Sequence, residues 1–199
     1  MITLPTKFLT LPGLISQLLS ILALSTLAVA AEIPASERAR LDQIERSLKS
    51  DVPWVLCLDG SFATGGQPTE SAYAKAAANG FHSVLSLRTA GEGVDLTRER
   101  SLVERNDLRY FNIPVVSNAP RPEQADEFIR LVKEKSNHPM LINCSSANRV
   151  GAFMMIFRVL EQGWPEDKAL KEALKIGLRG DELKKFARNY IAQHKTKRS

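Results

Sequence analysis

The chain has 199 residues, of which 44% are hydrophobic and 25% are charged, and its formal net charge is +5 at pH 7. This composition excludes a disordered, collagen-like or disulfide-rich chain, and the length is sufficient to bury a core without covalent cross-links. The basic residues are most concentrated in the tail 195–199, where no aromatic residues alternate with them, so nucleic-acid binding is not expected.

The N-terminal segment has the pattern of an export signal. Lys7 precedes an almost continuous apolar run over residues 8–30, and the run ends in the small residues Ala-Val-Ala-Ala. This spacing of small residues suits signal-peptidase cleavage after Ala30 or Ala31. The alternative is an uncleaved membrane anchor, because the run is long enough to span a bilayer.

The domain organisation follows from this boundary. We expect residues 1–30 to be a signal peptide and residues 31–199 to be a single exported domain, located in the periplasm, without membrane contact after cleavage. The core of that domain is predicted to cover about residues 52–180 and to be followed by a C-terminal helix over 181–194. The sequence does not indicate an oligomeric state.

Strands and helices alternate along most of the chain. The predicted strands cover residues 52–58, 61–64, 82–87, 108–115 and 140–143. The predicted helices cover residues 35–50, 69–79, 94–106, 123–135 and 150–161, a segment that begins at Trp164-Pro165, and residues 181–194. This order predicts the α/β class, as a three-layer domain with a mostly parallel central sheet flanked by helices.

The stretch from Met140 to Met154 contains the candidate site. A buried strand ends at Asn143, a small polar loop follows, and an apolar helix begins near Arg149. The free N–H groups and the dipole at a helix N-terminus favour an anion in such a loop. Cys144 supplies a thiol among these donors, and Arg149 can hold a tetrahedral oxyanion through two hydrogen bonds. We therefore expect Cys144 to attack phosphorus as the nucleophile, with Arg149 as the oxyanion clamp.

Residues 143–152 read Asn-Cys-Ser-Ser-Ala-Asn-Arg-Val-Gly-Ala. The run resembles the phosphate-binding loop of cysteine-dependent protein tyrosine and dual-specificity phosphatases. It is most similar to the phosphatase-like domain of the bacterial beta-lactamase hydrolase-like proteins, where the corresponding run resembles His-Cys-Ala-Ser-Gly-Asn-Arg-Val-Gly-Ala. The resemblance implies a tyrosine phosphatase-like fold. It also implies hydrolysis of phosphomonoesters, including phosphotyrosine or phosphoprotein, through a phosphocysteine intermediate. The expected partner is thus a phosphorylated substrate or another oxyanion, bound by Ser145, Ser146, Ala147 and Asn148.

Two positions in the loop depart from the family pattern. Asn143 replaces the histidine that helps to hold the thiolate, and Ala147 replaces a glycine, which matters if that position requires a positive φ. An inactive or weakly active pseudophosphatase that binds an anion or a phosphoprotein is therefore an alternative. A rhodanese-type sulfurtransferase is a second alternative, because only four residues separate Cys144 from Arg149, as in those enzymes.

Three further residues are candidates for the rim of the same site. The resembled family carries a Gly-Gln-Pro run between its first strands and first helix, and this chain has Gly66-Gln67-Pro68 there. Gln67 would contact substrate or position a water, or else belong only to a strand-to-helix turn. Arg88 and Glu92 follow the third predicted strand, and ligands of open α/β sheets bind beyond the carboxyl ends of strands. A purely structural Arg88–Glu92 pair is the alternative.

The general acid is unassigned in the sequence. Tyrosine phosphatases supply an aspartic acid from the loop after the fourth strand to protonate the leaving group. In this chain residues 116–122 contain no acidic residue, and Ser117 and Asn118 stand where the acid is sought. Glu123 and Asp126 follow on the next helix, where carboxylates more often stabilise the N-terminus.

The second cysteine and the histidines complete the list of reactive side chains. Cys57 lies in the first predicted strand and is expected in the core. If that strand neighbours the Cys144 strand, the two cysteines can form a reversible disulfide that protects the reactive sulfur. The histidines His82, His138 and His194 are scattered and share no ligand spacing with the cysteines, so no metal and no cofactor are expected.

Overall fold

The computed structural model describes Met1 and residues 33–195. The predicted signal peptide, apart from Met1, and residues 196–199 therefore lie outside the described residues. Within the described part of the chain, each helix is too short or too polar to cross a lipid bilayer.

Within residues 33–195, five short strands form one sheet. They are β1 (Leu56–Asp59), β2 (Phe62–Gly65), β3 (Ser83–Ser86), β4 (Arg109–Asn112) and β5 (Met140–Asn143). The strand order is β1-β2-β5-β3-β4; β1 pairs antiparallel with β2, and all other pairs are parallel. The predicted mostly parallel sheet is thus confirmed. Because β5 lies between β2 and β3, the loop that follows β5 is central at the carboxyl edge of the sheet.

Helices cover both faces of this sheet. They are α1 (Ala35–Leu48), α2 (Glu70–Ala78), α3 (Leu96–Glu104), α4 (Pro122–Lys133), α5 (Asn148–Leu160), α6 (Glu166–Ile176) and α7 (Asp181–Lys195). Successive strand residues point to opposite faces, so Leu141 packs with α1, α2 and α3 in one core while Ile142 packs with α4 to α7 in the other. The predicted three-layer α/β architecture is confirmed.

Helix α5 is the central helix of the second core. All residues from Arg149 to Leu160 are buried, as expected for a helix that is apolar on all sides. Gly151 lets its first turn approach the end of α6, because a Cβ at this position would lie 2.7 Å from the Ala173 carbonyl oxygen. The close packing fixes the helix N-terminus that receives the candidate loop.

The first strand is shorter than predicted from the sequence. It begins at Leu56 instead of residue 52, because the chain continues to turn after α1. The Val52 N–H donates to the Leu48 carbonyl at 2.8 Å, and the Val55 N–H donates to the Val52 carbonyl at 3.2 Å. Trp54 between them has a φ of 55°, a left-handed conformation that a strand residue does not adopt.

The disulfide considered from the sequence is not formed. Cys57 and Cys144 are both free and buried. β2 separates the β1 strand of Cys57 from β5, and the two cysteines belong to the cores on opposite faces of the sheet. The sheet therefore lies between the two sulfur atoms.

Candidate active site

The loop of residues 144–149 connects the end of β5 to the first turn of α5. On its β2 side the loop is held by main-chain contacts, since Gly66 forms an isolated bridge with Ser146 and the Gln67 N–H donates to the Ser145 carbonyl at 3.3 Å. The Gln67 contact uses a loop carbonyl oxygen, whereas the Cys144 N–H donates to the Gly65 carbonyl at 3.4 Å. The arrangement is the strand, tight loop and helix N-terminus expected from the sequence, with Cys144 at the start of the loop.

Ala147 adopts the left-handed conformation, with a positive φ, in which alanine is less favourable than the glycine of the family pattern. Its φ is 60° and its ψ is −1°, and the residue is fully buried. The Cβ atom costs about 1–2 kcal/mol in this conformation relative to glycine. A Cβ on Gly177 would lie 3.2 Å from the Ala147 Cβ, so the segment around Gly177 packs closely against the methyl group of Ala147. The loop keeps its conformation with alanine because the surrounding packing holds it.

The side chain of Asn148 points to the segment between α6 and α7. Its Oδ1 accepts hydrogen bonds from the N–H groups of Arg179 at 2.8 Å and Gly180 at 3.1 Å. The Arg179 guanidinium in turn donates to the Ser146 carbonyl at 3.3 Å and lies 5.8 Å from the ring centre of Trp54. Asn148 thus anchors this outer segment to the loop, and Trp54 and Arg179 flank the loop on its outer side.

Arg149 is the most extensively bonded side chain of the site. It is only 2% exposed. Its Nη1 donates to the carbonyls of Leu87 at 2.9 Å and Val115 at 2.7 Å, which follow β3 and β4. Glu92 receives two parallel hydrogen bonds, from Nη1 at 2.6 Å and from Nη2 at 2.7 Å, and Nη2 also lies 3.2 Å from the Ser145 hydroxyl. The guanidinium is therefore oriented by three separate segments.

In the Arg149–Glu92 pair, each side chain stabilises the charged form of the other. Burial alone would raise the pKa of Glu92, but the hydrogen bonds from Arg149 and from the Thr89 N–H lower that pKa to about 2. Burial alone would lower the pKa of Arg149, whereas Glu92 and the neighbouring Cys144 raise it. Both groups are thus charged at neutral pH, and a cation lies beside Cys144.

Arg88 and Gln67 continue the contacts away from the loop. Arg88 Nε forms an ion pair with Glu92 Oε2 at 2.8 Å, without hydrogen-bond geometry, and Nη2 donates to the Glu92 carbonyl at 3.1 Å. Arg88 Nη1 donates to Gln67 Oε1 at 2.7 Å, and Gln67 Nε2 donates to Glu99 Oε1 at 2.8 Å. The predicted Arg88–Glu92 pair exists, and it also contacts Arg149. Both ends of the Gln67 amide contact protein groups.

Sequence reasoning missed the carboxylate at the end of this chain of contacts. Glu99 is 4% exposed and accepts hydrogen bonds from the hydroxyls of Tyr73 at 2.9 Å and Tyr110 at 2.6 Å. Burial and the Glu99 carboxylate raise the pKa of both tyrosines. Glu99 lies in a helix rich in charged residues, which indicates a solvated face. The available signal was its spacing of four from the buried Val103.

Two other expected features differ from an ordinary tyrosine phosphatase. The Asn143 side chain is fully buried, and its amide has no hydrogen-bond partner among the described residues. In the loop after β4, Ser117 and Asn118 are exposed, while Asp126 on α4 accepts a hydrogen bond from Tyr190. Residues 33–195 contain no group of three His, Cys, Asp or Glu side chains suited to a metal ion.

The fold and the loop together define a domain of the cysteine-dependent phosphatase type. Residues 38–196 match the family model described as DSP-PTPase phosphatase fused to NAD+ kinase. The chain belongs to this family, and it is a phosphatase of the dual-specificity and tyrosine class. The resemblance found in residues 143–152 is thereby confirmed at the level of the phosphatase family. A comparison with curated protein sequences found no match.

Solved structures show the same fold at low sequence identity. A phosphatase-like DUF442 protein from Shewanella putrefaciens CN-32 has a TM-score of 0.64 and 18% identity, over 75% of this chain and 98% of that chain. A cysteine-to-serine variant of TpbA from P. aeruginosa, in complex with phosphotyrosine, has a TM-score of 0.56 and 17% identity, over 71% and 96% of the two chains. The core catalytic domain of the PP-IP phosphatase SIW14 from S. cerevisiae, in complex with citrate, has a TM-score of 0.59 and 16% identity, over 70% and 87%.

Proposed function

We propose that this protein is an exported phosphatase that hydrolyses phosphomonoesters through a phosphocysteine intermediate. In the first step the Cys144 thiolate attacks phosphorus, an S–P bond forms, and the P–O bond to the leaving alcohol or phenol breaks. In the second step water attacks the same phosphorus, the S–P bond breaks, and orthophosphate and the thiolate are released. The general acid and base are not assigned to residues.

The observation that carries this proposal is the fixed Arg149 guanidinium next to Cys144. The loop N–H groups of residues 145–149 at the α5 N-terminus supply donors for the equatorial phosphoryl oxygens, and Arg149 supplies a cation that needs little reorganisation. Donors oriented before the reaction stabilise the charge that develops in the transition state. The family match supports the same chemistry.

The substrate class is proposed from the same loop and from its structural neighbours. TpbA binds phosphotyrosine and SIW14 binds citrate in the structures named above, which supports an oxyanion or a phosphorylated molecule as the ligand here. We propose a phosphomonoester, with phosphotyrosine or phosphoprotein as the first candidates.

Hydrolysis of an aryl phosphate by the reduced protein without residues 1–30 tests the proposal, with Cys144→Ser as the matched variant. Hydrolysis that is lost in Cys144→Ser is the expected result. If neither protein hydrolyses the ester while orthophosphate still raises the melting temperature of both, the protein is a pseudophosphatase that binds the anion without turning over the ester. The Asn143 amide, which has no hydrogen-bond partner within residues 33–195, and the acid-free loop after β4 favour that second candidate.

The sulfurtransferase alternative rests only on the length of the loop, and the phosphatase family match argues against it. Incubation with thiosulfate followed by intact-protein mass spectrometry tests whether the protein is a sulfurtransferase. The expected result is an unchanged mass, whereas a persulfide on Cys144 would support sulfur transfer.

Export is proposed from the apolar run 8–30 and the small residues that end it. Expression of the full chain in a Gram-negative host should give a periplasmic protein that begins at Ala31 or Glu32. The matched variant carries Ala28→Leu, Ala30→Leu and Ala31→Leu, which removes the small residues at both cleavage sites and should block cleavage. If the unmodified protein is instead found uncleaved in the membrane fraction of the cells, the proposal is contradicted.

A further inference from the structure

A buried carboxylate lies outside the phosphate-binding loop. The Glu99 side chain faces the core formed with α2 and β4, where both its oxygens accept hydrogen bonds from tyrosine hydroxyls. Moving a carboxylate out of water is costly, so a buried one is retained only where its hydrogen bonds are satisfied. The third donor to Glu99 is the amide of Gln67.

The Gln67 amide lies between opposite charges. Its Oε1 accepts from the Arg88 guanidinium and its Nε2 donates to the Glu99 carboxylate. Arginine can only donate and an ionised carboxylate can only accept, so these neighbours dictate the orientation of the amide. Glutamine is the residue that satisfies both, since it carries one acceptor and one donor at the required distance.

The contacts continue without interruption to the loop. Arg88 forms an ion pair with Glu92, and Glu92 receives the two parallel hydrogen bonds from Arg149. We name Glu99, Gln67, Arg88, Glu92 and Arg149 the Glu99–Arg149 network. Each contact in it is 2.6–2.8 Å long. The network links the core under α3 to the guanidinium beside Cys144.

We infer that Glu99 and Gln67 are positioning residues that orient the Arg149 guanidinium for the transferring phosphoryl group. The inference rests on the proposed phosphatase function and adds two residues, whose side chains bond to each other, to Arg88 and to the two tyrosines. Glu99 orients the Gln67 amide, the amide holds Arg88, and Arg88 holds the second oxygen of Glu92. Small displacements of an oriented donor reduce catalysis strongly, so a distant break in the network should lower the rate.

A swap of the two side chains tests the inference. In Gln67→Glu the new carboxylate faces Glu99, and the repulsion should lower kcat/KM about 30-fold. In Glu99→Gln the amide oxygen can still accept from Gln67 and Tyr73, and the amide nitrogen can donate to the Tyr110 oxygen instead of accepting from it, so the loss should be about threefold. The double variant places a carboxylate beside the Arg88 guanidinium and a neutral amide at position 99, whose N–H group can donate to that carboxylate, so that each acceptor again faces a donor. Its kcat/KM should return to within about threefold of the wild type. The same substitution, Glu99→Gln, is thus expected to lower kcat/KM in the wild-type protein and to raise it in Gln67→Glu.

The controls separate positioning from loss of folding. Ser83→Ala removes a buried hydroxyl that donates to the Asn137 carbonyl at 2.6 Å, at the opposite end of β3, so it should lower stability without changing kcat/KM. Tyr110→Phe removes a single hydrogen bond to Glu99 and serves if Gln67→Glu fails to fold. Its kcat/KM should fall about threefold. All rates are normalised to the folded fraction measured by circular dichroism.

Anion affinity gives a readout that a merely structural role would not change. Vanadate resembles the five-coordinate transition state, so Gln67→Glu should weaken vanadate binding more than orthophosphate binding. Adding Glu99→Gln to the Gln67→Glu variant should restore vanadate binding. Equal losses for the two anions, additive losses in the double variant, or wild-type kinetics in a folded Gln67→Glu would overturn the inference.

These measurements distinguish the inference from the proposed function. A wild-type protein that binds vanadate but does not hydrolyse esters refutes the phosphatase proposal, and rescue of vanadate binding by the double variant would still support the network. A hydrolytically active wild type with an unaffected Gln67→Glu refutes the network alone. A wild type that binds neither anion refutes both.

Discussion

Arg149 and Glu92 form two parallel hydrogen bonds, at 2.6 Å and 2.7 Å, across 57 residues of sequence. The fork of the guanidinium matches the carboxylate in one plane, and this geometry fixes the plane of the guanidinium. The carbonyls of Leu87 and Val115 bind the same Nη1. The clamp is thus oriented by protein groups before a ligand arrives, which is the condition for electrostatic stabilisation of a transition state.

Replacement of Glu92 by glutamine should destabilise the fold in a pH-dependent way. The pKa of Glu92 is lowered from 4.5 to about 2 in the fold. Its ionised form therefore stabilises the fold at pH values above 4.5, and this stabilisation is lost as the pH falls from about 4.5 to about 2. We expect Glu92→Gln to lower the free energy of unfolding by about 1–2 kcal/mol at pH 7. Urea unfolding at pH 7, 5 and 3.5 measures this. A difference that stays constant down to pH 3.5 would contradict the assignment.

Replacement of Ala147 by glycine should change little. Glycine removes the cost of the positive φ, about 1–2 kcal/mol. It loses about 0.5–1 kcal/mol through chain entropy and about 0.8 kcal/mol of methyl burial. The free energy of unfolding should therefore stay within about 1 kcal/mol, and aryl phosphate hydrolysis should be retained. The contrasting variant Ala147→Val adds a β-branched side chain at the same φ and should lose both stability and hydrolysis. A large gain of activity in Ala147→Gly would show that the alanine had disabled the loop.

The rate should depend steeply on the leaving group. Residues 116–121 carry no carboxylate to protonate the departing oxygen, and such general acids contribute about 100- to 10,000-fold. We expect 4-nitrophenyl phosphate to be hydrolysed at least about 100-fold faster than phenyl phosphate. Asn118→Asp introduces a carboxylate into the loop and should increase phenyl phosphate hydrolysis more than that of the nitrophenyl ester. Similar rates for both esters with the unmodified protein would indicate an acid supplied by another segment.

Cys57 should be chemically inert in the folded protein. It is 2% exposed, and burial together with Glu45 raises its pKa to about 12. Thiolates are the reactive form, so alkylation at pH 8 should leave Cys57 unmodified until denaturant is added. Peptide mass spectrometry measures this, with Cys144→Ser as the control that leaves one cysteine. A Cys57–Cys144 disulfide after mild peroxide treatment would contradict their placement on opposite faces of the sheet.

The sequence alone predicted the features that depend on local patterns. The apolar run at Met140–Asn143 followed by small polar residues predicted a buried strand and a loop, and the apolar residues from Val150 onwards predicted a helix behind that loop. The alternation of strands and helices predicted a mostly parallel sheet, and the parallel direction placed Arg88 at the same edge as the loop. Hydrophobic period and turn residues are local properties, and the fold class follows from them.

The tertiary structure alone decided which polar groups meet. The sequence left open whether Gln67 faces a substrate, and the spacing of four between Glu99 and Val103 was a weak sign that Glu99 is buried. Both outcomes depend on the strand order, since β5 between β2 and β3 brings Gln67, Arg88 and Arg149 to one edge, and α3 then covers Glu99. A hydrophobic pattern indicates that a residue is buried, but it does not indicate which partner the residue packs against. Partners separated by tens of residues are selected only when the whole sheet has formed.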